Sequence, residues 1–384
     1  MKIAFITPGG FDRSGRERVI PAFLWLVEQL ARHSEVHVYT LRQYPEPCIY
    51  SLLGATVHNI GVPQKRPRNL RSFFTLLSHL RAEHRHSPFD VIHGVWLSSG
   101  GFGAALAGRL LHVPSLATLA GGEMAALPEI GYGGQLRMRS RYKIALTLRL
   151  ANAITAASEY ARRPLLPYRL DAHLIPFGVN CERFTPAEPP PGPPWNLLHV
   201  ASLNRVKDQA TLLRAFRTIQ ACEPRTRLQI IGEDTLNGEI QRLAHELGVA
   251  DAVTFEGFQP NDVVADAMRR AHLLLVSSRH ESGPLVMLEA AACCVPTVGT
   301  AVGHIEDLAP DAAVAVPPGD HAALAWAVTS LLRDETSRRA IGLRARSFAR
   351  THDATWTAER FTQLYGELAQ AVASRQRHTA HVAT

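Results

Sequence analysis

Short apolar runs alternate with stretches of helical spacing along almost the whole chain. KIAFITP near the start has strand length, and RVIPAFLWLVEQLARH carries apolar residues at helical intervals. EVHVYTL and FDVIHGVW repeat the strand signal, while FFTLLSHLRAEH and GGFGAALAGRLLH repeat the helical one. PSLATLAG, AITAAS and AHLIPFG predict later strands. This alternation predicts a parallel sheet covered by helices on both faces.

TPAEPPPGPPW, residues 185–195, interrupts the pattern with the densest prolines in the chain. Such segments make semi-rigid connectors, not core. The alternation then restarts. NLLHVASL, TRLQIIGE, AVTFEGF, HLLLVSS, PTVGT and AAVAVPPG predict strands, with DQATLLRAFRTIQ, GEIQRLAHELGV, DVVADAMRRA, PLVMLEAAACC and HAALAWAVTSLLRD as helices between and after them. The expected organisation is an N-terminal α/β domain over 1–184, a linker over 185–195 and a second α/β domain over 196–353. A last helix at about 354–374 packs back onto the first domain, and SRQRHTAHVAT ends the chain as a frayed tail. Doubly wound sheets bind ligands beyond their C-terminal strand ends, so two such domains are expected to face each other across a deep cleft.

A chain of 384 residues, 46% apolar and 20% charged, fits a two-domain globular protein. The first residues lack the basic, apolar and small-residue order of a secretory signal, and no run reaches 18 clean apolar residues, so a cytoplasmic protein is expected. The five cysteines form no C-x-x-C pair, and Cys293 and Cys294 read as small buried residues. The net charge of +7 is uneven: residues 1–180 hold 21 Lys/Arg against 11 Asp/Glu, and the remainder 20 against 23. The asymmetry suggests an anionic partner for one half; no nucleic-acid-binding motif accompanies the charge, and a phospholipid surface or a phosphorylated acceptor fits as well, so no nucleic acid is expected. QLRMRSRYKIALTLRL and KRPRNLR (65–71) are the basic stretches concerned. Peripheral attachment to the inner face of an anionic membrane is one expectation for them, and a solvated helix face the plainer one.

The densest candidate chemistry lies in SSRHESGPLVMLEAAACCVPTVGT, residues 277–300. A buried strand ends at Ser278, a loop follows, and a helix starts near Pro284. The N–H groups of Leu285 and Val286, at the positive end of that helix, suit a phosphate. Glu289 and Glu281 suit sugar hydroxyls. The plainer reading makes Glu281 a helix cap and Glu289 a solvated helix residue.

Two glutamates eight positions apart, after a strand ending in SS and around a glycine loop, resemble the retaining glycosyltransferases of family four, the group one class with the GT-B fold. HLIPFGVNCERFTP is similar to that family's interdomain segment, LLHVASLNRVKDQATLLRAF to the first strand, loop and helix of its donor domain, and FITPGG to its first glycine loop. The resemblance implies that Glu281 contacts the transferred sugar, Glu289 the nucleotide ribose and Lys207 the donor diphosphate. Gly283 lies in the loop between the glutamates. The backbone near Gly257 and Phe258 would approach the base, and Gly9 and Gly10 the donor or acceptor. It implies a nucleotide-diphosphate sugar as donor, with UDP or GDP expected, a carbohydrate or lipid-linked acceptor, no metal and no cofactor. The acceptor attacks from the leaving-group face, and a donor phosphate oxygen takes its proton.

The chain departs from the pattern at several positions. Phe177 and Asn180 replace commoner Asn and Asp, Ser202 stands where the family has an arginine, Asp234 replaces a glycine and Cys294 another. Arg205 is the expected substitute for the missing charge. Ala120 and Gly121 occupy the place of a common histidine, leaving His93 and Glu123 as acceptor-side candidates. A nucleotide-sugar epimerase of the same architecture and a non-catalytic nucleotide-sugar binder are the rivals. A dinucleotide dehydrogenase is disfavoured, since no G-x-G-x-x-G follows a strand.

Overall fold

The computed structural model describes residues 1–61, 69–188 and 191–382, without the side chains of 69–71, 373 and 375–382. Residues 65–68 of the basic segment, the side chains of its residues 69–71 and the centre of the proline-rich linker therefore lie outside what is described. The chain divides into two compact units. One comprises Met1–Ala157, Ala161–Phe177 and Ala354–Thr384, the other Ser158–Tyr160 and Gly178–Asp353. The division thus falls between Phe177 and Gly178, upstream of the 185–195 segment.

In chain order the first unit runs β1 (Lys2–Thr7), α1 (Pro21–Ala31), β2 (Glu35–Thr40), β3 (Cys48–Leu52), β4 (Ala55–Asn59), α2 (Asn69–His86), β5 (Val91–Val95), α3 (Gly101–Leu111), β6 (Ser115–Leu119), α4 (Met138–Leu150), β7 (Ala153–Ala156), a single turn α5 (Glu159–Arg162) and β8 (His173–Leu174). Its sheet has the order β3-β4-β2-β1-β5-β6-β7-β8, parallel except for β3. β1, β5, β6 and β7 are buried along their whole length. That is why they read as largely apolar runs without strict alternation. The hairpin β3–β4 was not predicted. Its turn, Leu53–Gly54, puts both residues at positive φ, 50° and 80°, the twist that two-residue hairpins need. β3 is an edge strand with alternating exposure, so it carries little apolar signal.

The second unit runs β9 (Trp195–Val200), α6 (Gln209–Cys222), β10 (Thr226–Ile231), α7 (Glu239–Glu246), β11 (Val253–Phe255), α8 (Asn261–Arg270), β12 (Leu273–Val276), α9 (Leu285–Ala292), β13 (Thr297–Thr300), α10 (His304–Leu308), β14 (Val314–Val316), α11 (His321–Arg333) and α12 (Glu335–Thr351). Its six strands are all parallel, in the order β11-β10-β9-β12-β13-β14. Leu197, Leu228, Ile230, Leu273, Leu275 and Val298 from its strands pack with Leu212, Phe216, Leu324 and Val328 from α6 and α11 in one core. Both units are therefore α/β domains built on parallel sheets, as the alternation predicts. α12 was not separated in the sequence reading.

The last helix, α13 (Ala354–Val382), belongs to the first unit and packs on α1 and β5. It continues past residue 374, through the stretch expected to be frayed. No helix among the described residues is long and apolar enough to cross a membrane.

Candidate functional site

The second unit brings its predicted residues together at the C-terminal ends of β9 and β12. The loop after β9 carries Lys207, and the loop after β12 carries Glu281. Lys207 Nζ lies 2.5 Å from Glu281 Oε1, which also accepts from Ser278 Oγ at 2.7 Å. Ser277 Oγ donates to the Lys207 carbonyl at 2.7 Å, and Arg279 N to the Val206 carbonyl at 2.7 Å. The two loops are thus joined by backbone and side chain alike, which fixes the ammonium against the carboxylate. Glu281 is not a helix cap: its carboxylate is held by Lys207 and Ser278, and α9 has no side-chain cap.

Pro284 is the N-cap of α9, one position earlier than the first-turn placement expected for it. Leu285 and Val286 then open the helix, where N–H groups have no partner within the helix itself. Glu289 follows a turn later. It is not a solvated helix residue but 6% exposed. Burial pushes its carboxyl up from the ordinary 4.5 to about 8, so it is a neutral acid at pH 7 that can both donate and accept a hydrogen bond. α9 ends in a Schellman arrangement, with Val295 N on the Ala290 carbonyl (2.8 Å) and Cys294 N on the Ala291 carbonyl (2.9 Å). Cys294 takes the left-handed conformation there, at φ 60°.

Arg205 does not join Lys207. It is exposed and lies 3.4 Å from Glu239 at the start of α7. The guanidinium fixed within these two loops is that of Arg279, whose Nε donates to Asp208 Oδ2 at 2.6 Å. Asp208 also caps α6 through Thr211. The Ser202 carbonyl accepts from Gln209 Nε2 at 3.1 Å, and Gln209 also meets His199. Arg279, Asp208, Ser278 and Gln209 were missed in sequence reasoning. Only the strand–loop–helix position of each could have signalled them. Asp234, in the place of a glycine, accepts from Leu236 N and Gly238 N. Those bonds hold its carboxyl below the usual range and close the turn into α7. Gly257 has φ 66° with open space where a Cβ would stand. Phe258 beside it is half exposed.

In the first unit the loop after β1 is braced by Gln43, whose Oε1 accepts from Gly10 N (2.7 Å) and Phe11 N (3.0 Å). Gly10 has φ 95°, and a Cβ there would meet Ile20 at 2.7 Å, so glycine is required. His93 is fully buried, with Nδ1 2.7 Å from the Tyr365 hydroxyl and Nε2 2.7 Å from Thr118 Oγ1. Burial lowers its pKa to about 3. With both ring nitrogens engaged, it is a neutral residue of the core. Glu123 differs. It is 5% exposed, its Oε1 accepts from Leu97 N and Ala120 N, and its Oε2 has no partner. Burial pushes its carboxyl up to about 7. Glu35, His37 and Glu83 are grouped closely enough to hold a metal ion. The Lys2 ammonium already lies 3.0 and 2.5 Å from the two carboxylates and supplies the balancing charge.

The family described as Glycosyl transferases group 1 matches residues 182–348, and that described as Glycosyltransferase Family 4 matches 24–183. The D-inositol 3-phosphate glycosyltransferase of Arthrobacter sp. is 28% identical over 399 residues, covering 92% of this chain and 91% of that one. The sucrose-phosphate synthase of Thermosynechococcus elongatus superposes with a TM-score of 0.78 at 21% identity, covering 96% and 99% of the two chains. Anabaena HepE, solved in complex with UDP-glucose, gives a TM-score of 0.72 at 16% identity, covering 96% and 100%.

Proposed function

This chain belongs to the group 1 glycosyltransferases, with nucleotide sugars as donors, and from that premise we propose that it moves the sugar with retention of anomeric configuration and without a metal ion or further cofactor. The observation that carries the reading is the Lys207–Glu281 pair beside the opening of α9, with the buried acid Glu289 one turn inside that helix.

In this reading the donor diphosphate lies against Lys207 and the N–H groups of Leu285 and Val286. These supply the positive charge that a metal would otherwise provide. Glu289 exchanges hydrogen bonds with the ribose hydroxyls, for which a neutral buried acid has both a donor and an acceptor. Glu281, held by Lys207 and Ser278, receives the hydroxyls of the transferred sugar. Gly283 lets the loop backbone approach it. Gly257 and Phe258 border the base, and Gly10 the substrates on the first unit. UDP is the expected nucleotide, in line with the UDP-glucose held by the HepE structure.

The acceptor hydroxyl attacks the anomeric carbon from the face of the leaving diphosphate. The new glycosidic bond forms as the carbon–phosphate oxygen bond breaks, and a phosphate oxygen of the donor takes the acceptor proton. The protein's part is positioning and charge stabilisation. Peripheral contact with an anionic membrane at the cytoplasmic face is a second reading. It is favoured by exposed Met138 and Tyr142 beside Arg137, Arg139 and Arg141 on and before α4.

The test is the anomeric configuration of the product, read by proton NMR with UDP-glucose as donor, in buffer with and without EDTA. An α-linked product formed equally in both supports the proposal. A β-linked product, or loss of turnover in EDTA, overturns it.

A further inference from the structure

Arg42, Arg137, Arg139 and Lys143 all line one cavity of about 760 Å³ in the first unit, together with Glu123 and Tyr132. The volume is that of a small-molecule site. Arg42 follows β2, whereas the other three open α4. Among the described residues none of these four cations forms an ion pair. Cations at the start of a helix oppose its dipole, and α4 has neither an acid in its first turn nor a side-chain cap. The Lys143 ammonium is pulled down by burial and then by the charge of Arg42. Like charges therefore gather at the cavity, Arg42, Arg137 and Arg139 exposed and Lys143 half-buried, with Glu123 the one acidic residue of its lining and, among the described residues, no ion pair to any of the four.

Glu123 is the second, independent observation. It lines the same cavity and is nineteen-twentieths buried, with Oε2 lacking any partner. Buried polar atoms are seldom left so. A buried carboxyl without a bond on one oxygen suits a hydroxyl of a ligand. The cations suit an anionic oxygen cluster, for which arginine offers a fork of donors.

We propose that this cavity seats a phosphate ester of a polyhydroxy compound, its phosphate on Arg42, Arg137, Arg139 and Lys143 and a hydroxyl on Glu123, as the charged end of the acceptor. The acceptor assignment rests on the transferase reading above, whereas the anion site stands on the cavity itself. The phosphate belongs either to a soluble ester or to a lipid headgroup.

The experiment uses the full chain in phosphate-free buffer. Melting temperature is followed against glycerol 1-phosphate, glycerol and UDP, for wild type, for R137Q/K143Q and for the separate R139Q variant, whose exposed side chain makes folding secure. Glycerol 1-phosphate is expected to raise the wild-type melting temperature where glycerol does not. The midpoint concentration should rise at least about tenfold in R137Q/K143Q and several-fold in R139Q, with the UDP shift unchanged. No shift with the ester, or the same midpoint in both variants, overturns the proposal. A missing UDP shift beside an intact ester shift instead removes the donor reading and leaves the anion site standing. Cosedimentation with phosphatidylglycerol vesicles, lost in R137Q/K143Q, assigns the lipid source. Ester binding without cosedimentation assigns the soluble one.

Discussion

His93 on β5 and Tyr365 on α13 are 272 residues apart in sequence, and the imidazole Nδ1 lies 2.7 Å from the phenol oxygen inside the first unit. Both side chains are fully buried. The bond ties the final helix to the centre of the sheet, and Thr118 and Thr155 extend the network on the other side of the ring. Tyr365→Phe leaves Nδ1 without its partner and is expected to cost about 1–3 kcal/mol. Urea denaturation should show the loss, while the KM for the nucleotide sugar stays within about twofold of wild type. A stability unchanged from wild type would mean that the bond contributes nothing.

Glu289→Gln is expected to stabilise the protein in a pH-dependent way. The folded carboxyl titrates at about 8 and the unfolded one near 4.5. Between those values the folded state binds the proton that the unfolded state has lost, so stability falls as pH rises through that window. Gln keeps the shape and removes the titration. The gain over wild type should be small at pH 4.5 and reach a few kcal/mol, as an upper bound, at pH 8.5. Thermal melts at the two pH values measure it. Glu289→Ala should in addition weaken UDP binding in the same assay.

Lys207→Met and Glu281→Gln separate the partners of the ion pair. The first is expected to lower kcat by about 10²-fold or more through loss of charge at the leaving diphosphate. The second is expected to lower kcat while the UDP melting shift persists. Equal and negligible effects of both on turnover would reduce the pair to a loop fastening.

Cys294→Gly removes a side chain from a left-handed position at the end of α9. Such a position costs an ordinary residue about 1 kcal/mol, part of which the greater freedom of unfolded glycine offsets. A net gain of about 0.5–1 kcal/mol in equilibrium unfolding is the expected outcome. A loss would show that the thiol's packing outweighs the backbone strain.

The sequence showed most of what buried strands and amphipathic helices can show. β1, β5 and β12 are buried along their whole length because both faces are covered, which leaves apolar runs broken only by Lys2 and Thr7 at the ends of β1 and by His93 and Gly94 in β5. The edge strand β3 and the arginine-rich α12 were not legible, since their burial is partial, and the short β4 was lost with its hairpin partner. At the candidate site, Lys207, Glu281 and Glu289 were legible by their place after strands and by family resemblance. Their electrostatics were not: nothing in a linear reading distinguishes the paired Glu281 from the buried, unpaired Glu289. His93 and Glu123 looked equivalent as lone polar residues in apolar surroundings. The difference between them lies in Tyr365, far along the chain, which engages His93, whereas Glu123 Oε2 has no partner. Arg205 was chosen for nearness in sequence to Lys207, whereas Glu239 holds its guanidinium.

The placement of α13 has a consequence for synthesis on the ribosome. The whole sheet of the second unit lies between Trp195 and Val316, so it can condense while the last helix is still unmade. The first unit, although most of it emerges earlier, waits for residues 354 onward to cover α1 and meet His93. The order of completion is therefore the reverse of the order of translation. During that interval the surface of α1 and the part of β5 around His93 that α13 covers are open, a window in which holdase chaperones have something to bind.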